Sequence, residues 1–187
     1  IRRPPRSTPS NSSAASDVYK RQKERHSIRA YKAQDIEEEK INAILNAANS
    51  APSAGNLQAY KIYKVVNREK KSKLVWAAFG QSFIEKAPLC LVFCAHPQRS
   101  AQKYGRRGVE LYSIQDATIA ATFAHLTATA LGLGSVFVGA FNEKEVKKAL
   151  SLPRELKPII ILPVGYIDEI PYSSPRKSLN ELVVEID

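Results

Sequence analysis

The run Ala117-Thr-Ile-Ala-Ala-Thr-Phe-Ala-His-Leu-Thr-Ala-Thr-Ala130 decides the fold class of this chain. Its residues are apolar or small at almost every position of the helical repeat, the pattern of a helix that is buried on all sides. We predict that this helix begins around Tyr112 and ends at about Leu131, where Leu131-Gly-Leu-Gly134 interrupts it. Its many alanines and threonines allow a partner element to approach closely.

Helices and strands alternate around this central helix. One helix is predicted to begin at Asp35, which has capping-box spacing with Glu38, and to end near Ser50, ahead of Pro52. The other predicted elements are strands over 60–66, 88–95, 135–138 and 158–164, helices over 72–79 and 142–150, and an extended tail over 182–186. The alternation predicts a mixed α/β or α+β sheet, and neither an internal repeat nor an interdomain linker is visible.

Residues 1–22 differ from the rest of the chain. They are rich in proline, serine and arginine, lack helical or strand periodicity, and are similar to translated sequencing-adapter sequence. The chain also contains no methionine. We therefore predict that residues 1–22 are a non-native, disordered tail and that residues 23–187 form a single domain; a native basic arm is the alternative.

The net charge of +10 raises the possibility of a nucleic-acid-binding module. Residues 1–22 hold five basic residues and one acidic residue, so the remainder carries only +6 of that charge. Such a module would show a basic stripe with interleaved aromatic residues, which residues 23–187 do not show. A modest positive excess is also compatible with an enzyme that binds anionic nucleotides.

The two cysteines and three histidines predict neither a disulfide nor a metal site. Cys90 and Cys94 lie on the same face of a predicted strand, ~13 Å apart, which is too far for a disulfide. We interpret them as core thiols of a protein in the reducing cytoplasm. The histidines lack metal-ligand spacing, and His125 is expected to be a satisfied core or interface residue. No apolar run reaches the ~20 residues of a membrane span, and no secretory signal is visible.

Several segments, taken together and in order, resemble the nitroreductase family. They are Arg25-His-Ser-Ile-Arg29, Ala51-Pro-Ser-Ala-Gly-Asn-Leu-Gln58, Gln115-Asp116, Leu131-Gly-Leu-Gly-Ser135, Gly139-Ala-Phe141, Leu162-Pro-Val-Gly-Tyr166 and Pro175-Arg176. The resemblance covers essentially all of residues 23–187. It implies an α+β fold with a mixed β-sheet flanked by helices, and a homodimer built on the long central helix. It also implies FMN at the subunit interface and ping-pong electron transfer from NADH or NADPH to a small acceptor such as a nitroaromatic or a quinone.

The resemblance also implies ligands for the FMN phosphate. Arg25, Ser27 and Arg176 are carried over for this role, with His26 as a backbone or ring contact and Lys177 as a further candidate. Guanidinium groups suit a phosphate because they bind it through two parallel hydrogen bonds. Arg29 is also assigned to the cofactor, although a salt bridge is an equal alternative for it.

A second group of residues is implied for the flavin ring. Asn56 and Gln58 carry amides that both donate and accept hydrogen bonds, as the pyrimidine edge requires. Pro52 and Ser53 would shape their loop and line the ring or the phosphate; an ordinary helix stop is the alternative for this loop. Gly139 would let the backbone approach the ring, with Val138 and Ala140 as neighbours. No catalytic acid or base is assigned, because the flavin carries the chemistry.

Two departures from the family pattern concern the acceptor. Ala59-Tyr60 stands where many members have Pro-Trp, and the segment between Pro97 and Tyr112 is short and basic, which suggests an open site with broad acceptor tolerance. A specialised reaction on the same scaffold, such as reductive dehalogenation or flavin destruction, is the alternative function.

Overall fold

The computed structural model describes residue 20 and residues 22–186. The described residues contain four strands: β1 (Tyr60–Val65), β2 (Leu89–Ala95), β3 (Leu133–Ser135) and β4 (Lys157–Tyr166). From residue 38 onward they also contain the helices α1 (Glu38–Asn49), α2 (Arg68–Ala77), α3 (Phe83–Lys86), α4 (Pro97–Arg107), α5 (Ser113–Ala130), α6 (Glu143–Leu150) and α7 (Leu179–Leu182). A 3-10 turn covers Ala54–Asn56, and a π-helical turn, Gly108–Tyr112, joins α4 to α5.

The four strands form one sheet in the order β1-β2-β4-β3, and every pairing between them is antiparallel. Ser27 forms an isolated parallel bridge with Ser135 at the outer edge of β3, outside the four antiparallel strands. The sheet with helices around it confirms the predicted α+β fold.

The two central strands explain the layered architecture, because they are buried on both faces. In β2, Cys90, Val92 and Cys94 face a core shared with α2, α3 and α6, whereas the alternate residues Leu91 and Phe93 face a core shared with α1 and α5. This alternation follows from the two-residue period of a strand. A continuous apolar run is therefore required in β2, and its sequence supplies one.

Both cysteines are free and buried, as predicted, and they lie on the same face of β2. Burial raises the pKa of each thiol to about 12. The thiols are therefore protonated at neutral pH and behave as core side chains.

Helix α5 occupies the centre of one helical layer, but only one of its faces is buried by this chain. Four fully buried alanines pack against the sheet and α1: Ala120, Ala121, Ala124 and Ala128. The opposite face, which includes Ile119, Thr122, Phe123 and Leu126, is only partly covered, and Phe123 retains 37% exposure. The prediction of burial on all sides is thus wrong for the single chain.

The structure corrects several predicted boundaries. Helix α1 begins at Glu38 instead of Asp35, and its preceding residue, Glu37, makes no side-chain cap. Helix α2 begins earlier than predicted, at Arg68, because the side chain of Asn67 accepts a hydrogen bond from the Lys70 N–H and caps it. Strand β3 begins and ends earlier than the predicted strand over 135–138, and the two share only Ser135.

Other corrections concern whole elements. Helices α3 and α4 were not predicted, and the expected extended tail over 182–186 follows a short helix, α7, which a capping box between Ser178 and Glu181 begins. Helix α4 begins at Pro97, and the side chain of His96 accepts from the Arg99 N–H. Residues 1–19 lie outside the described part, so the prediction of a non-native tail stays a prediction. No described helix is long and apolar enough to cross a bilayer.

Gly134 permits the close approach of the segment around Ile28 to β3. A Cβ at Gly134 would lie 2.7 Å from Cγ2 of Ile28 and 2.8 Å from Cγ1 of Ile167, whereas a Cβ at Gly139 would meet nothing within 4 Å. We predict that Gly134→Ala lowers the free energy of unfolding by about 1–3 kcal/mol through overpacking. Gly139→Ala is the matched control and should change it little. Urea unfolding of the cofactor-free protein measures both, and equal effects would contradict the prediction.

Candidate functional site

The segment from Arg25 to Tyr31 is fixed along the outer edge of β3. The Ile28 N–H donates to the Ser135 carbonyl at 3.1 Å, and the Tyr31 hydroxyl donates to the Ile28 carbonyl. Ile28 and Tyr31 are buried, whereas Ser27 is exposed. Anchoring two inward side chains in the core leaves the polar residues of the same segment available at the surface.

A cleft of about 620 Å³ lies beside this segment. It is lined by Gln22, Lys23, Arg25, His26, Ser27, Arg29, Tyr172, Ser173, Ser174 and Arg176. The lining includes four cationic side chains and, within the described part of the chain, no carboxylate. Five predicted phosphate-site residues therefore meet here; Lys177 is exposed and does not line the cleft.

Two of these guanidinium groups lie close enough to affect each other. Burial, and then the positive charge of Arg176, lower the pKa of Arg25. No carboxylate of the described residues forms a salt bridge with either arginine. Glu169, an acidic group near this region, accepts a hydrogen bond from the backbone N–H of Arg29. Adjacent guanidinium groups that form no salt bridge with a carboxylate of the described residues make a site suited to an anion.

His125 of α5 contacts the cleft from inside the protein. Its Nε2 lies 3.3 Å from Nη1 of Arg25, and its Nδ1 lies 2.5 Å from Oγ of Ser135. Burial, and then the charge of Arg25, lower the pKa of His125 to about 4. The imidazole is therefore neutral at physiological pH. His125 is a satisfied, buried residue, as predicted.

The loop Ala51–Ala59 forms the second group of candidate residues, and its backbone is unusual. Gly55, Asn56 and Gln58 have φ values of 56°, 56° and 46°, in the left-handed region. Such conformations cost free energy in residues other than glycine and persist only where surrounding contacts impose them.

The buried side chain of Asp116 imposes this conformation. Its Oδ1 accepts from the Ala54 N–H at 2.9 Å, and its Oδ2 accepts from the Ala59 N–H at 3.4 Å. Asp116 lies in the first turn of α5, so the central helix anchors the loop. Asp116 lies in one of the segments that resemble the family, but the sequence predicted no role for it, because its two backbone partners cannot be inferred from sequence spacing.

Two of the predicted cofactor residues, Ser53 and Gln58, form hydrogen bonds within the protein. The Gln58 side-chain N–H donates to the carbonyl and to Oδ1 of Asn49, both at 3.1 Å, and Oγ of Ser53 accepts from the Gln58 N–H. Asn56, in contrast, is exposed, and its side-chain amide has no hydrogen-bond partner within the described part of the chain, whereas its backbone N–H donates to the Ser53 carbonyl. Pro52 is exposed at the start of the loop.

Helix α4 lies against this loop. Nε of Arg99 donates to the Leu57 carbonyl, and a Cβ at Gly55 would come within 2.6 Å of both the Tyr104 hydroxyl and Nζ of Lys103. The short basic segment between Pro97 and Tyr112 therefore forms a helix that packs on the loop, and the open site with broad acceptor tolerance stays a prediction.

The residues predicted after β3 divide into two kinds. Val138 is buried, and its N–H and carbonyl both pair with Ile161, so its side chain belongs to the core. Gly139 and Ala140 are exposed, and the space beside Gly139 is open. The Ala140 carbonyl accepts from Nε2 of Gln81.

The cleft and the loop lie at opposite corners of the sheet. Tyr60, which follows the loop, begins β1 and pairs with Ala95, whereas Ser27 lies beyond β3 at the other edge. Four interstrand spacings separate these two edges, a distance of ~19 Å across the sheet. Asp116 and His125, which contact the two groups, lie ~13 Å apart along α5. Within the described residues, no cluster of three or more potential metal ligands is present.

Comparison with known proteins identifies the family. The Nitroreductase family matches residues 23–81 and 70–166. An FMN reductase [NAD(P)H] from Bacillus subtilis is 32% identical over 86% of this chain and 70% of its own length. An NADH dehydrogenase from Thermus thermophilus is 32% identical over 86% of this chain and 91% of its own length. The structure of NADPH:FMN oxidoreductase from Vibrio harveyi complexed with NAD⁺ is similar, with a TM-score of 0.84, 28% identity, and coverage of 91% of this chain and 77% of that chain.

The chain belongs to the nitroreductase family. The matched residues include both the segment that borders the cleft and the loop that Asp116 anchors.

Removing the Asp116 carboxylate should release the loop. We predict that Asp116→Ala lowers the free energy of unfolding by about 2–3 kcal/mol, because two backbone N–H groups lose a charged acceptor and Ala59 is fully buried. Gln115→Ala, an exposed neighbour on the same helix, is the control and should cost much less. Urea unfolding measures both. An Asp116→Ala protein as stable as the control would show that the loop holds its shape by other contacts.

Proposed function

We propose that this protein is an FMN-dependent oxidoreductase that takes electrons from NADH or NADPH and transfers them to a small acceptor such as a nitroaromatic or a quinone. The observation that carries the proposal is the cleft in which Arg25 and Arg176 lie close together with no carboxylate among its described lining residues. The printed names of the relatives, an FMN reductase and an NADPH:FMN oxidoreductase among them, support the same cofactor and donors.

The residues present fit the phosphate end of FMN. A phosphate dianion needs several cationic or N–H donors and no competing carboxylate. Arg25 and Arg176 supply guanidinium groups, and Ser27 supplies an exposed hydroxyl beside them. His26, Arg29 and Lys177 are further candidates; Arg29 lines the cleft, whereas its backbone N–H is held by Glu169.

The residues present also fit the ring of FMN. Asn56 carries an exposed side-chain amide with no hydrogen-bond partner among the described residues, and Gly139 and Ala140 offer exposed backbone, with open space beside Gly139. Pro52, Ser53 and Gln58 give the loop its shape, and Gln58 does so through Asn49. Asn56 is thus our principal candidate for the pyrimidine edge.

These residues bind and orient, and no side chain is assigned to proton transfer. Bound FMN would supply the redox chemistry, alternately accepting electrons from NAD(P)H and passing them to the acceptor in a ping-pong sequence. The arginines hold the phosphate, and the loop fixes the ring edge through a conformation that Asp116 imposes. A rigid site of this kind contributes to the rate by orientation.

A homodimer is part of the proposal. The apolar outer face of α5, with Phe123 and Leu126, is only partly covered by this chain, and small residues beside it permit close packing of a second helix. The corner-to-corner separation of cleft and loop supports a site in which the cleft of one subunit faces the loop of the other.

The acceptor and the cellular setting belong to the proposal as well. Helix α4 packs against the loop and would border the acceptor side of the ring, with Tyr60 nearby, so selectivity depends on these elements. A specialised reaction such as dehalogenation is not favoured by any residue that we identify. The two buried thiols support a reducing cytoplasmic setting.

FMN binding is tested by the visible spectrum and by titration of the cofactor-free protein. We expect a bound flavin that NADH or NADPH bleaches and that a quinone restores. Arg25→Ala and Arg176→Ala should each weaken FMN binding by ~10–100-fold, because each removes a charged partner of the phosphate. Arg68→Ala is the control, since Arg68 is exposed on α2 and pairs with Glu85. A folded protein that takes up no FMN would refute the proposed function.

The homodimer is tested at the outer face of α5. Light scattering should give twice the 20.7 kDa of the chain, and Phe123→Glu should yield monomers that bind FMN poorly, because a charge would be buried between the helices. Trp76→Glu is the control, since this exposed aromatic lies on α2. A monomeric Phe123→Glu protein with undiminished FMN affinity would show that one subunit forms the whole site.

A further inference from the structure

His125 is buried beside the candidate phosphate site, although the proposed mechanism assigns it no role. The side chain is 7% exposed, and its ring packs 5.1 Å from the ring of Phe137. Its polar contacts are Arg25 on one side and Ser135 on the other. A buried imidazole in contact with a guanidinium group is unusual, because both groups can carry positive charge.

The contacts fix the protonation state and the tautomer of this ring. A guanidinium group can only donate, so Nε2 must be the acceptor in its contact with Nη1 of Arg25. A neutral ring whose Nε2 is unprotonated carries its proton on Nδ1, which therefore donates to Oγ of Ser135. The depressed pKa of His125 agrees with this assignment, which rests on the geometry alone.

Ser135 is itself held in place. It lies in β3 with 1% exposure, and its carbonyl accepts from the Ile28 N–H. The chain of contacts therefore runs from β3 through Ser135 and His125 to Arg25. Ser135 and His125 are both buried, and His125 is additionally fixed by its place on α5.

A neutral acceptor has a specific advantage at this position. A carboxylate would orient Arg25 equally well, but it would neutralise the guanidinium charge and compete with an incoming anion. A neutral imidazole orients the same group and leaves the full positive charge for the ligand. This matters because Arg25 and Arg176 repel each other until an anion lies between them.

We propose that His125 is a positioning residue that holds the guanidinium group of Arg25 in the orientation required to bind the phosphate of FMN. This inference rests on the proposed function, since it names the anion as the FMN phosphate. His125 contacts neither flavin ring nor substrate in this proposal, and acts only through Arg25.

Riboflavin, which lacks the phosphate, separates this role from a purely structural one. We compare the dissociation constants of FMN and riboflavin, measured by flavin fluorescence, for the wild type, His125→Leu and His125→Gln. Leucine has a volume similar to that of histidine but no hydrogen-bond acceptor, whereas the amide oxygen of glutamine lies near the position of Nε2. We expect His125→Leu to weaken FMN binding roughly tenfold, the loss of about one charged hydrogen bond, and riboflavin binding less than twofold. His125→Gln should restore FMN binding to within about threefold of the wild type.

A second measurement separates the positioning role from a general effect of the substitution on the fold. In an Arg25→Ala background, exchanging His125 for glutamine or leucine should change FMN affinity less than twofold, because the group that His125 positions is absent. Equal weakening of FMN and riboflavin, or the same loss with and without Arg25, would overturn the positioning role. A wild type that binds no FMN would refute the proposed function instead, so the two failures are distinguishable.

Discussion

Close packing of α5 against the sheet is the constraint on which both candidate ligand groups depend. Alanines such as Ala120 and Ala124 bring the helix backbone near β2 and β4, with no side chain large enough to hold it away. The same helix carries Asp116 in its first turn and His125 farther along. Because α5 is rigidly packed, this one helix positions both the loop that Asp116 anchors and the arginine that His125 contacts.

The two candidate groups use different physical means to prepare for a ligand. The loop uses conformation, since three left-handed residues are maintained by a buried carboxylate and by hydrogen bonds within the loop. The cleft uses charge, since cations are held together by a segment whose anchoring residues, Ile28 and Tyr31, are buried in the core. The left-handed backbone of the loop and the charge repulsion in the cleft both cost free energy. In both cases the burial of other residues offsets this cost, which is common at functional sites.

The extent to which this structure could be predicted from sequence depends on where the stabilising contacts lie. Strands β2 and β4 and helix α5 were recognised because burial imposes continuous apolar runs on them. Helix α6 was recognised from its cap, Asn142. Helix α4 was missed because it is polar, and its start depends on His96 and Pro97 and not on periodicity. The exposed outer face of α5 also cannot be seen in a sequence that is apolar all round.

The candidate site was predicted as a set of residues but not as a geometry. Arg25 and Arg176 are far apart in sequence, so only the family resemblance connected them, and the structure places both in one cleft. The resemblance could not show that Gln58 turns back to Asn49, or that the side chain of Val138 is buried. These details depend on hydrogen bonds between distant segments, for which a linear pattern carries no signal.

A site shared between two subunits would link cofactor binding to assembly. A ligand that contacts both subunits binds the dimer more tightly than the monomer, and it must stabilise the dimer by the same free energy. The partly covered face of α5 would then not need to supply all of the association energy, since the phosphate contacts at Arg25 and the ring contacts at Asn56 would come from different chains. The repulsion between Arg25 and Arg176 strengthens this linkage, because it is relieved only when the anion is present. In such a dimer, local charge in the cleft and the oligomeric state of the protein would be parts of one equilibrium.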